Sequence, residues 1–209
     1  MALSEKSRTK QRILEASIEL FSKKGFTGVG VREIATEADV NLAMISYYFN
    51  GKIGILKEIF EYFFDLYLPL FDDIDNPSQP PDHCFQVLVR KIVYFVRQNT
   101  RLFLLIYNEM ALDVPEVADI KSRRIGELIQ KMSGLMIRFG LDPQNPQIFA
   151  VIGPSLISAI LTQFRLIPVM KQVFDVEPNE SYYEHYINTI SALFLTGVQG
   201  IVEKSKVRN

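Results

Sequence analysis

The most informative part of this chain is residues 31–48, which read VREIATEADVNLAMISYY. The first half carries apolar side chains at the i, i+3, i+4 and i+7 positions of one helix face, namely Val31, Ile34, Ala35 and Ala38. Residues 39–41, Asp-Val-Asn, interrupt this pattern, and a further short helix follows to about Tyr48. The segment therefore predicts two short helices joined by a tight turn.

The residues before this segment predict a longer helix. Its apolar face is formed by Ile13, Leu14, Ser17, Leu20 and Phe21. Gly25 follows, and glycine commonly ends a helix because it adopts the left-handed conformation without strain. Asn41 stands where an N-cap would bind the first amide groups of the third helix. Three helices with this spacing are typical of a helix-turn-helix unit, although helical hairpins with a purely structural role share the pattern.

The third helix has an outer face without charge. When Ile45 points toward the core, Ala43 and Tyr47 point about 160° away, because successive residues turn by about 100°. Small residues on this face would let the helix backbone enter a DNA major groove, and the phenol of Tyr47 would reach a phosphate. The pattern therefore favours a recognition helix.

The rest of the chain also has helical periodicity, and no run shows the alternation of a strand. Further helices are predicted at residues 53–71, 85–98, 100–110, 115–139, 146–173 and 180–204. Pro69 is expected to kink the first of these or end it early, and Pro154 and Pro168 are expected to bend or break the fifth. The predicted fold is all-α, with a three-helix DNA-binding head followed by a larger C-terminal helical bundle, about nine helices in total.

Composition excludes several classes of protein. The 209 residues are 48% hydrophobic, which excludes a disordered chain. The chain has 23 basic and 24 acidic side chains, but residues 1–52 have eight basic and six acidic ones, as expected for one DNA-facing end. Cys84 is the single cysteine, so an intramolecular disulfide is excluded and a reducing compartment is indicated. A polar N-terminal stretch and short apolar runs, such as residues 102–107, predict a cytoplasmic protein outside the membrane.

The three predicted helices of the head and the turns between them lie within one stretch, Arg12 to Leu56, whose spacing has no gaps. Its members are Ile13-Leu14, Ala16, Leu20-Phe21, Gly25-Phe26, Val31-Arg32-Glu33-Ile34-Ala35, Ala38, Val40, Ala43-Met44-Ile45-Ser46-Tyr47-Tyr48-Phe49, Lys52 and Leu56. In residue type and spacing this run resembles the DNA-binding head of the TetR family of bacterial transcription regulators. The resemblance implies a homodimer that binds a two-fold symmetric operator in double-stranded DNA, with a ligand pocket in the larger domain.

The resemblance also implies which residues contact DNA. By position they are Arg32, Leu42, Ala43, Met44, Tyr47, Tyr48 and Lys52. Arg32 belongs to the second helix. On the third helix, the groove-facing side carries, on it or beside it, Leu42, Ala43, Met44 and Tyr47. Of these four, Leu42 is directed closest to the core. Tyr48 and Lys52 fall where phosphates are gripped, although Tyr48 is also placed to pack near Phe49 and Lys52 to cap the following helix.

The sequence departs from the family pattern at four places. Asp39 stands where glycine is usual in the turn, and aspartate adopts the left-handed conformation at some cost. Asn41 replaces the common serine and keeps its capping chemistry, whereas Ser46 replaces a frequent tyrosine. Val29 and Gly30 lack the hydroxyl groups that are frequent at the entry to the second helix, so backbone amides would have to bind the phosphate there. Because the recognition face has no long bidentate side chain, the predicted half-site is rich in A·T pairs.

Aromatic residues in the larger part of the chain are candidates for an effector pocket. They are Phe63, Tyr67, Tyr94, Phe103, Tyr107 and Phe164. Aromatic residues at helical spacing also form ordinary protein cores, and that alternative stays open for each of them. If part of the set lines a cavity, the effector is a small hydrophobic or aromatic molecule. The resemblance further implies that the last two helices pair across the dimer axis in a four-helix bundle.

The chain is predicted to divide into a helix-turn-helix DNA-binding domain, residues 1–52, and a ligand-binding and dimerisation domain, residues 53–209. The predicted function is a ligand-responsive transcription regulator, a repressor that a small effector releases from a palindromic operator. The alternative is a helical small-molecule binding or interaction protein whose head no longer reads DNA, which Val29, Gly30 and Asp39 leave open. An enzyme is not expected, because His83 and His185 are isolated and no catalytic constellation is visible; no metal or cofactor is predicted.

Overall fold

The computed structural model describes residues 5–110, 114–142 and 145–207, and these residues form nine α-helices and no strand. The helices are α1 (Glu5–Lys24), α2 (Val31–Glu37), α3 (Leu42–Phe49), α4 (Lys52–Tyr67), α5 (Pro81–Gln98), α6 (Thr100–Met110), α7 (Pro115–Arg138), α8 (Pro146–Phe174) and α9 (Glu180–Val207). A short 3-10 helix, Leu68–Phe71, follows α4. The predicted all-α class and the predicted number of helices are confirmed.

The first compact unit comprises Met1–Tyr67 and Asn99–Gly126. In this unit α1 packs against α2, α4 and α6, and α3 packs against α2 and α4. Each of the first four helices buries at least one large aliphatic side chain completely, among them Ile13, Ile34, Ile45 and Ile55. Burying a side chain of this size stabilises a fold by about 1.5–3 kcal/mol, so a common core holds α1 to α4 together.

The second compact unit comprises Leu68–Gln98 and Glu127–Asn209. Here α5 packs against α8 and α9. Its inner face consists of buried aliphatic residues at helical spacing, Val89, Ile92, Val93 and Val96. On its polar side, Arg90 Nη2 donates to Glu184 Oε2 at 2.6 Å, and Gln86 Nε2 donates to Asn188 Oδ1 at 2.7 Å. Both apolar and polar contacts therefore join α5 to α9.

Glycine residues shape the ends of α1 and α3. Gly25 has a φ of 72°, and its N–H donates to the carbonyl oxygen of Phe21 at 2.9 Å, so the predicted end of the first helix is confirmed. Gly51, with a φ of 96°, separates α3 from α4. One turn later, a Cβ atom on Gly54 would overlap the carbonyl oxygen of Phe49. The corner between α3 and α4 is therefore too tight for any residue larger than glycine at position 54.

The internal prolines have different effects in α4 and α8. As predicted, the helix that contains Pro69 ends early: α4 stops at Tyr67, and a 3-10 turn carries the chain through Pro69. Pro154 and Pro168 are predicted to bend or break their helix, and of these two outcomes the break does not occur, because α8 runs as one helix of 29 residues through both. Each proline removes one N–H donor, and the other turns of so long a helix keep their hydrogen bonds.

Candidate nucleic-acid interface

The outer face of α3 is exposed and its inner face is buried. Ile45 is 1% exposed and Phe49 is buried beside it, whereas Tyr47 on the opposite side is 67% exposed. Leu42 and Met44 are also exposed. The predicted orientation of Ile45 and Tyr47 is therefore confirmed, whereas Leu42, predicted to be directed closest to the core, is exposed. The helix presents small and apolar side chains with one exposed phenol.

Asn41 begins α3 as the predicted N-cap. Its backbone is extended, with φ −67° and ψ 138°, and its Oδ1 accepts a hydrogen bond from the N–H of Ala43 at 2.9 Å. Caps of this kind stabilise a helix by about 1 kcal/mol. The first turn of α3, which carries Leu42 and Ala43, is therefore fixed in its helical conformation.

The turn between α2 and α3 is held by a side chain outside the predicted set. Asp39 has a φ of 49°, so the predicted left-handed conformation is confirmed. Arg12 of α1 donates from Nη2 to the carbonyl oxygens of Ala38 and Asp39 at 2.6 and 2.5 Å, and to the Asp39 carboxylate at 3.0 Å. These bonds satisfy carbonyl groups at the end of α2 and offset the cost of the strained residue.

Lys52, the first residue of α4, contacts the loop between α1 and α2. Its Nζ donates to the carbonyl oxygens of Phe26 and Val29, both at 2.9 Å, and lies 4.4 Å from the centroid of the Phe26 ring. Two of the three donors of the ammonium group are therefore engaged within the protein. The side chain therefore holds the loop before α2. This role is not expected from the sequence, which predicts a phosphate contact or a cap for the following helix.

Cationic and aromatic side chains border the outer face of α3. Arg32 of α2 is exposed, and Tyr48 is half-buried. The rings of Tyr47 and Tyr48 meet edge to face with their centroids 4.9 Å apart. Lys6 of α1, which is outside the predicted set, has its Nζ 5.4 Å from the centroid of the Tyr47 ring. A cation beside an exposed phenol is a favourable place for a phosphate group.

The entry to α2 has no side-chain cap. Gly30 is the N-cap residue, with φ −95° and ψ 153°, and no side chain binds the first amides of the helix. A Cβ atom on Gly30 would meet no heavy atom within 4 Å. The predicted loss of a capping hydroxyl at this position is confirmed, and it does not result from a lack of space.

An open groove of about 460 Å³ lies beside α1 in the first unit. Its lining residues are Arg12, Glu15, Ala16, Ile18, Glu19, Glu37, Ala38 and Arg101. Glu19 lies 2.6 Å from Lys23 Nζ and 2.5 Å from Arg101 Nη1, and the hydrogen bond from Lys23, followed by the charge of Arg101, lowers its pKa below the usual 4.5. None of the aromatic effector candidates lines this groove.

Three of the six effector candidates lie together in the first unit. Phe63, Tyr67 and Phe103 are buried, and their ring centroids are 5.1–5.5 Å apart. Burial raises the pKa of the Tyr67 phenol. Tyr107, on the same helix as Phe103, is half-buried. In this conformation the three rings fill the space between α4 and α6 and pack against one another.

The other two candidates, Tyr94 and Phe164, lie in the second unit. The Tyr94 phenol donates to the Glu180 carboxylate, and this bond raises the pKa of Tyr94. Phe164 stacks on Tyr183 with the ring centroids 5.8 Å apart, and the Arg97 guanidinium lies 4.4 Å from the centroid of Tyr183. Both candidates therefore belong to an aromatic and ionic cluster that includes α9.

A long apolar surface lies on α8. Val173 is 62% exposed and Phe174 66%, and Val151, Leu166 and Val169 are exposed as well. The segment Ala150–Phe174 is long and apolar enough to cross a membrane by length and composition, and only 17% of its most apolar window is buried. Length and composition do not distinguish a membrane span from a helix that another protein surface covers. The expectation that all apolar runs are short does not hold for this segment.

Comparison with known proteins identifies similarities over the α1–α4 region and beyond. Residues 13–59 match the family model described as bacterial regulatory proteins, tetR family. The "Probable HTH-type transcriptional regulator YttP" of Bacillus subtilis is 34% identical over 119 residues, which are 56% of this chain and 58% of that protein. The HTH-type transcriptional repressor NicS of Pseudomonas putida is 40% identical over 76 residues, 34% of this chain and 36% of that protein. The matches therefore span about half the length of these curated relatives, or less.

The similarity in structure extends along most of the chain. The solved structure of the fatty acid degradation regulator FadR from Bacillus halodurans superimposes with a TM-score of 0.70, covering 94% of this chain and 98% of that one at 16% identity. At this level of identity the likeness concerns the fold alone. The all-helical architecture is therefore shared well beyond residues 13–59.

Proposed function

We propose that this chain, whose residues 13–59 match the tetR family of bacterial regulatory proteins, is a transcription regulator of that family that binds double-stranded DNA as a homodimer. The observation that carries this proposal is the uncharged outer face of α3, exposed on a helix whose first turn Asn41 caps and whose preceding turn Arg12 holds. A helix presented in this way fits the major groove, which is about 12 Å wide.

The proposed contacts divide into base-facing and phosphate-facing groups. Leu42, Ala43 and Met44 face the bases, where apolar atoms distinguish the thymine methyl group, so the half-site is rich in A·T pairs, and Tyr47 on the same face reaches a phosphate with its phenol. Arg32 and Tyr48 bind the phosphates on either side of these bases. Lys52 has one ammonium donor left for a phosphate after its two bonds to the loop.

The apolar surface of α8 supports the proposed homodimer. An exposed aliphatic strip of this length is unusual for a monomer and is stabilised when a second copy covers it. A dimer places two recognition helices on successive major grooves of a two-fold symmetric operator, about 34–36 Å apart. We therefore assign α8 and α9 to the dimer interface rather than to a membrane, which agrees with a cytoplasmic protein.

Repression with release by an effector is the proposed mode of regulation. NicS is named a repressor, which supports repression here. The buried aromatic cluster of Phe63, Tyr67 and Phe103 connects α4 and α6, and α4 continues directly from the α3 corner. A small hydrophobic or aromatic effector that separates these rings favours dimers in which the distance between the two DNA-binding heads differs from the distance that the operator requires. The affinity for the operator therefore falls. Tyr94, Tyr107 and Phe164 remain further candidates for its contacts.

The second candidate function is a helical binding or interaction protein whose head no longer reads DNA. The missing hydroxyl at Gly30 and the engaged ammonium group of Lys52 favour this alternative, because both reduce the phosphate contacts available at the head. The two functions differ in one observable, which is salt-dependent binding to a specific duplex.

The experiment that tests the proposal is selection of bound duplexes from a random pool at fixed salt. Tyr47→Ala removes the exposed phenol of α3, and Leu66→Ala, which truncates an exposed apolar residue of α4, is the matched control. An enriched palindrome that Tyr47→Ala loses and Leu66→Ala keeps is expected. No enrichment, or enrichment that Tyr47→Ala leaves unchanged, would overturn DNA recognition by α3 and favour the binding-protein alternative.

A further inference from the structure

The backbone of Phe26, in the loop between α1 and α2, forms hydrogen bonds with side chains of two different helices. Its N–H donates to Glu109 Oε1 of α6 at 3.1 Å, and its carbonyl oxygen accepts from Lys52 Nζ of α4 at 2.9 Å. Glu109 lies 83 residues beyond Phe26 in the chain. Both groups belong to the first compact unit, and neither belongs to the helix-turn-helix itself.

Glu109 is an unusual group to find at this position. It is 5% exposed, and its second carboxyl oxygen, Oε2, has no hydrogen-bond partner among the described residues. Burying a carboxyl group in this way costs free energy that an apolar side chain of similar size would avoid. Stability of α6 therefore does not account for a glutamate here, whereas the bond to the Phe26 amide does.

The loop that Glu109 holds determines where α2 begins. The Phe26 ring packs edge to face against Phe21 of α1, with the centroids 5.4 Å apart. Two residues later, a Cβ atom on Gly28 would overlap the carbonyl oxygen of Lys24, so the chain has little room to move there. Gly30 then starts α2 without a side-chain cap. Because α2 has no side-chain cap at this end, its start is held from outside the helix, by the bonds to Phe26, by the bond from Lys52 to the Val29 carbonyl and by the ion pair between Lys24 and Glu33.

We propose that Glu109 is a positioning residue that couples α6 to the DNA-facing surface by holding the loop before α2. This inference rests on the proposed function, because it assigns the consequence to DNA binding. A displacement of α6 breaks the bond to Phe26, and the loop and the start of α2 leave the conformation that places Arg32 against DNA. The fraction of molecules competent to bind falls, and the apparent affinity falls with it.

The test compares three full-length variants in two measurements. Glu109→Gln keeps an acceptor for the Phe26 amide, and Glu109→Met removes it while filling the same space. Leu105→Ala, at a buried position of the same helix, lowers stability and keeps the Glu109 carboxylate that accepts from the Phe26 amide. The first measurement is the affinity for the selected duplex, and the second is hydrogen exchange in the peptide that contains Phe26.

We expect Glu109→Met to bind the duplex about tenfold more weakly than wild type, since an unpaired amide destabilises the competent loop. Glu109→Gln and Leu105→Ala should stay within about twofold of wild type. Faster exchange at Phe26 is expected in Glu109→Met alone. Equal weakening by Glu109→Met and Leu105→Ala, or by Glu109→Met and Glu109→Gln, would overturn the proposal. If wild type binds no duplex, the proposed function fails and the role in DNA binding fails with it, while the exchange result still decides whether Glu109 holds the loop.

Discussion

The outer faces of α3 and α8 are both apolar and exposed, and they differ in length and in chemistry. The eight residues of α3 span about 12 Å, and those of α8, which number 29, span about 44 Å. The exposed face of α3 includes the small residues Ala43 and Ser46 and the phenol of Tyr47. The exposed face of α8 has bulky aliphatic and phenyl groups, such as Val173 and Phe174. A short face with small residues suits a nucleic-acid groove, and a long aliphatic face suits a second protein surface.

The two faces also differ in what holds them in place. Local anchors, the Asn41 cap and the Arg12 hydrogen bonds, fix α3, and its core contact is Ile45 and Phe49. The first turn of α8 is capped in a similar way, because Asn145 Oδ1 accepts from the N–H of Gln147 at 3.1 Å, but the length of α8 also supplies many internal hydrogen bonds. Substitutions that loosen the anchors of α3 should therefore reduce DNA binding without changing self-association, and changes on α8 should do the opposite.

The largest expected effect is on self-association. Val173→Glu places a charge on the exposed face of α8, and burying an unpaired charge in a dimer should weaken it by at least about a hundredfold. Sedimentation velocity across a range of concentrations measures the dissociation constant, with Leu66→Glu on α4 as the control. A dimer that tolerates Val173→Glu would show that α8 is not the interface.

The next largest effect is expected at the corner that carries α3. Gly54→Ala should lower the free energy of unfolding by about 3 kcal/mol, because the new Cβ overlaps the carbonyl oxygen of Phe49. Gly126→Ala, in open space within α7, should instead raise it by about 0.5–1 kcal/mol. Denaturant unfolding measures both. Equal changes in the two variants would contradict a steric origin.

Removing the anchor of the turn should have a smaller effect. Arg12→Met keeps most of the apolar stem and deletes the hydrogen bonds to Ala38 and Asp39, so unfolding should be easier by about 1 kcal/mol. Affinity for the selected duplex should also fall, since Asp39 loses the contacts that hold its left-handed conformation. Thermal unfolding and duplex binding are measured together. Stability that falls with unchanged affinity would separate the turn from the DNA-facing surface.

A still smaller effect concerns one phosphate contact. Arg32→Ala should reduce the slope of log affinity against log salt concentration by about one, with little change in sequence preference. Glu37→Ala, on the same helix, serves as a matched exposed control and should not reduce the slope. An unchanged slope in Arg32→Ala would remove Arg32 from the interface.

The smallest expected effect is on how the stability of the second unit depends on pH. The hydrogen bond from Arg90 lowers the pKa of Glu184 below its usual value near 4.5. A lowered pKa in the folded state contributes stability that is present above the unfolded pKa and is lost as pH falls through the folded one. Glu184→Gln should therefore unfold at slightly lower temperature at pH 7 and lose less stability between pH 5 and pH 3. Parallel pH profiles for the two proteins would contradict this contribution.

Local signals made most of the head predictable from sequence. Apolar spacing placed α1, α2 and α3, and the residue types at Gly25, Asp39 and Asn41 predicted the left-handed and capping conformations that the structure has. These features depend on residues a few positions apart, whose geometry the backbone dictates. The orientation of α3, with Ile45 inward and Tyr47 outward, follows from the same helical period.

Contacts between distant parts of the chain could not be predicted in this way. Arg12 and Asp39 are 27 residues apart, and Glu109 and Phe26 are 83 apart, so no spacing rule relates them. For the same reason the effector candidates could be chosen only by residue type. Periodicity does not tell which aromatic residues meet in the folded chain, or whether they pack together or line a cavity.

Gly30 leaves the head open to adjustment by a single substitution. Its φ of −95° suits any residue, and the space around it is empty, so serine would fit and would cap α2 with a gain of roughly a few tenths of a kcal/mol. Its hydroxyl would also offer a second donor to a nearby phosphate. A regulator that must leave its operator on demand is impaired by excessive affinity as well as by too little. If the proposed function holds, glycine at this position gives a lower affinity for DNA than serine would, and position 30 is where natural or laboratory selection for tighter binding would act at least structural cost.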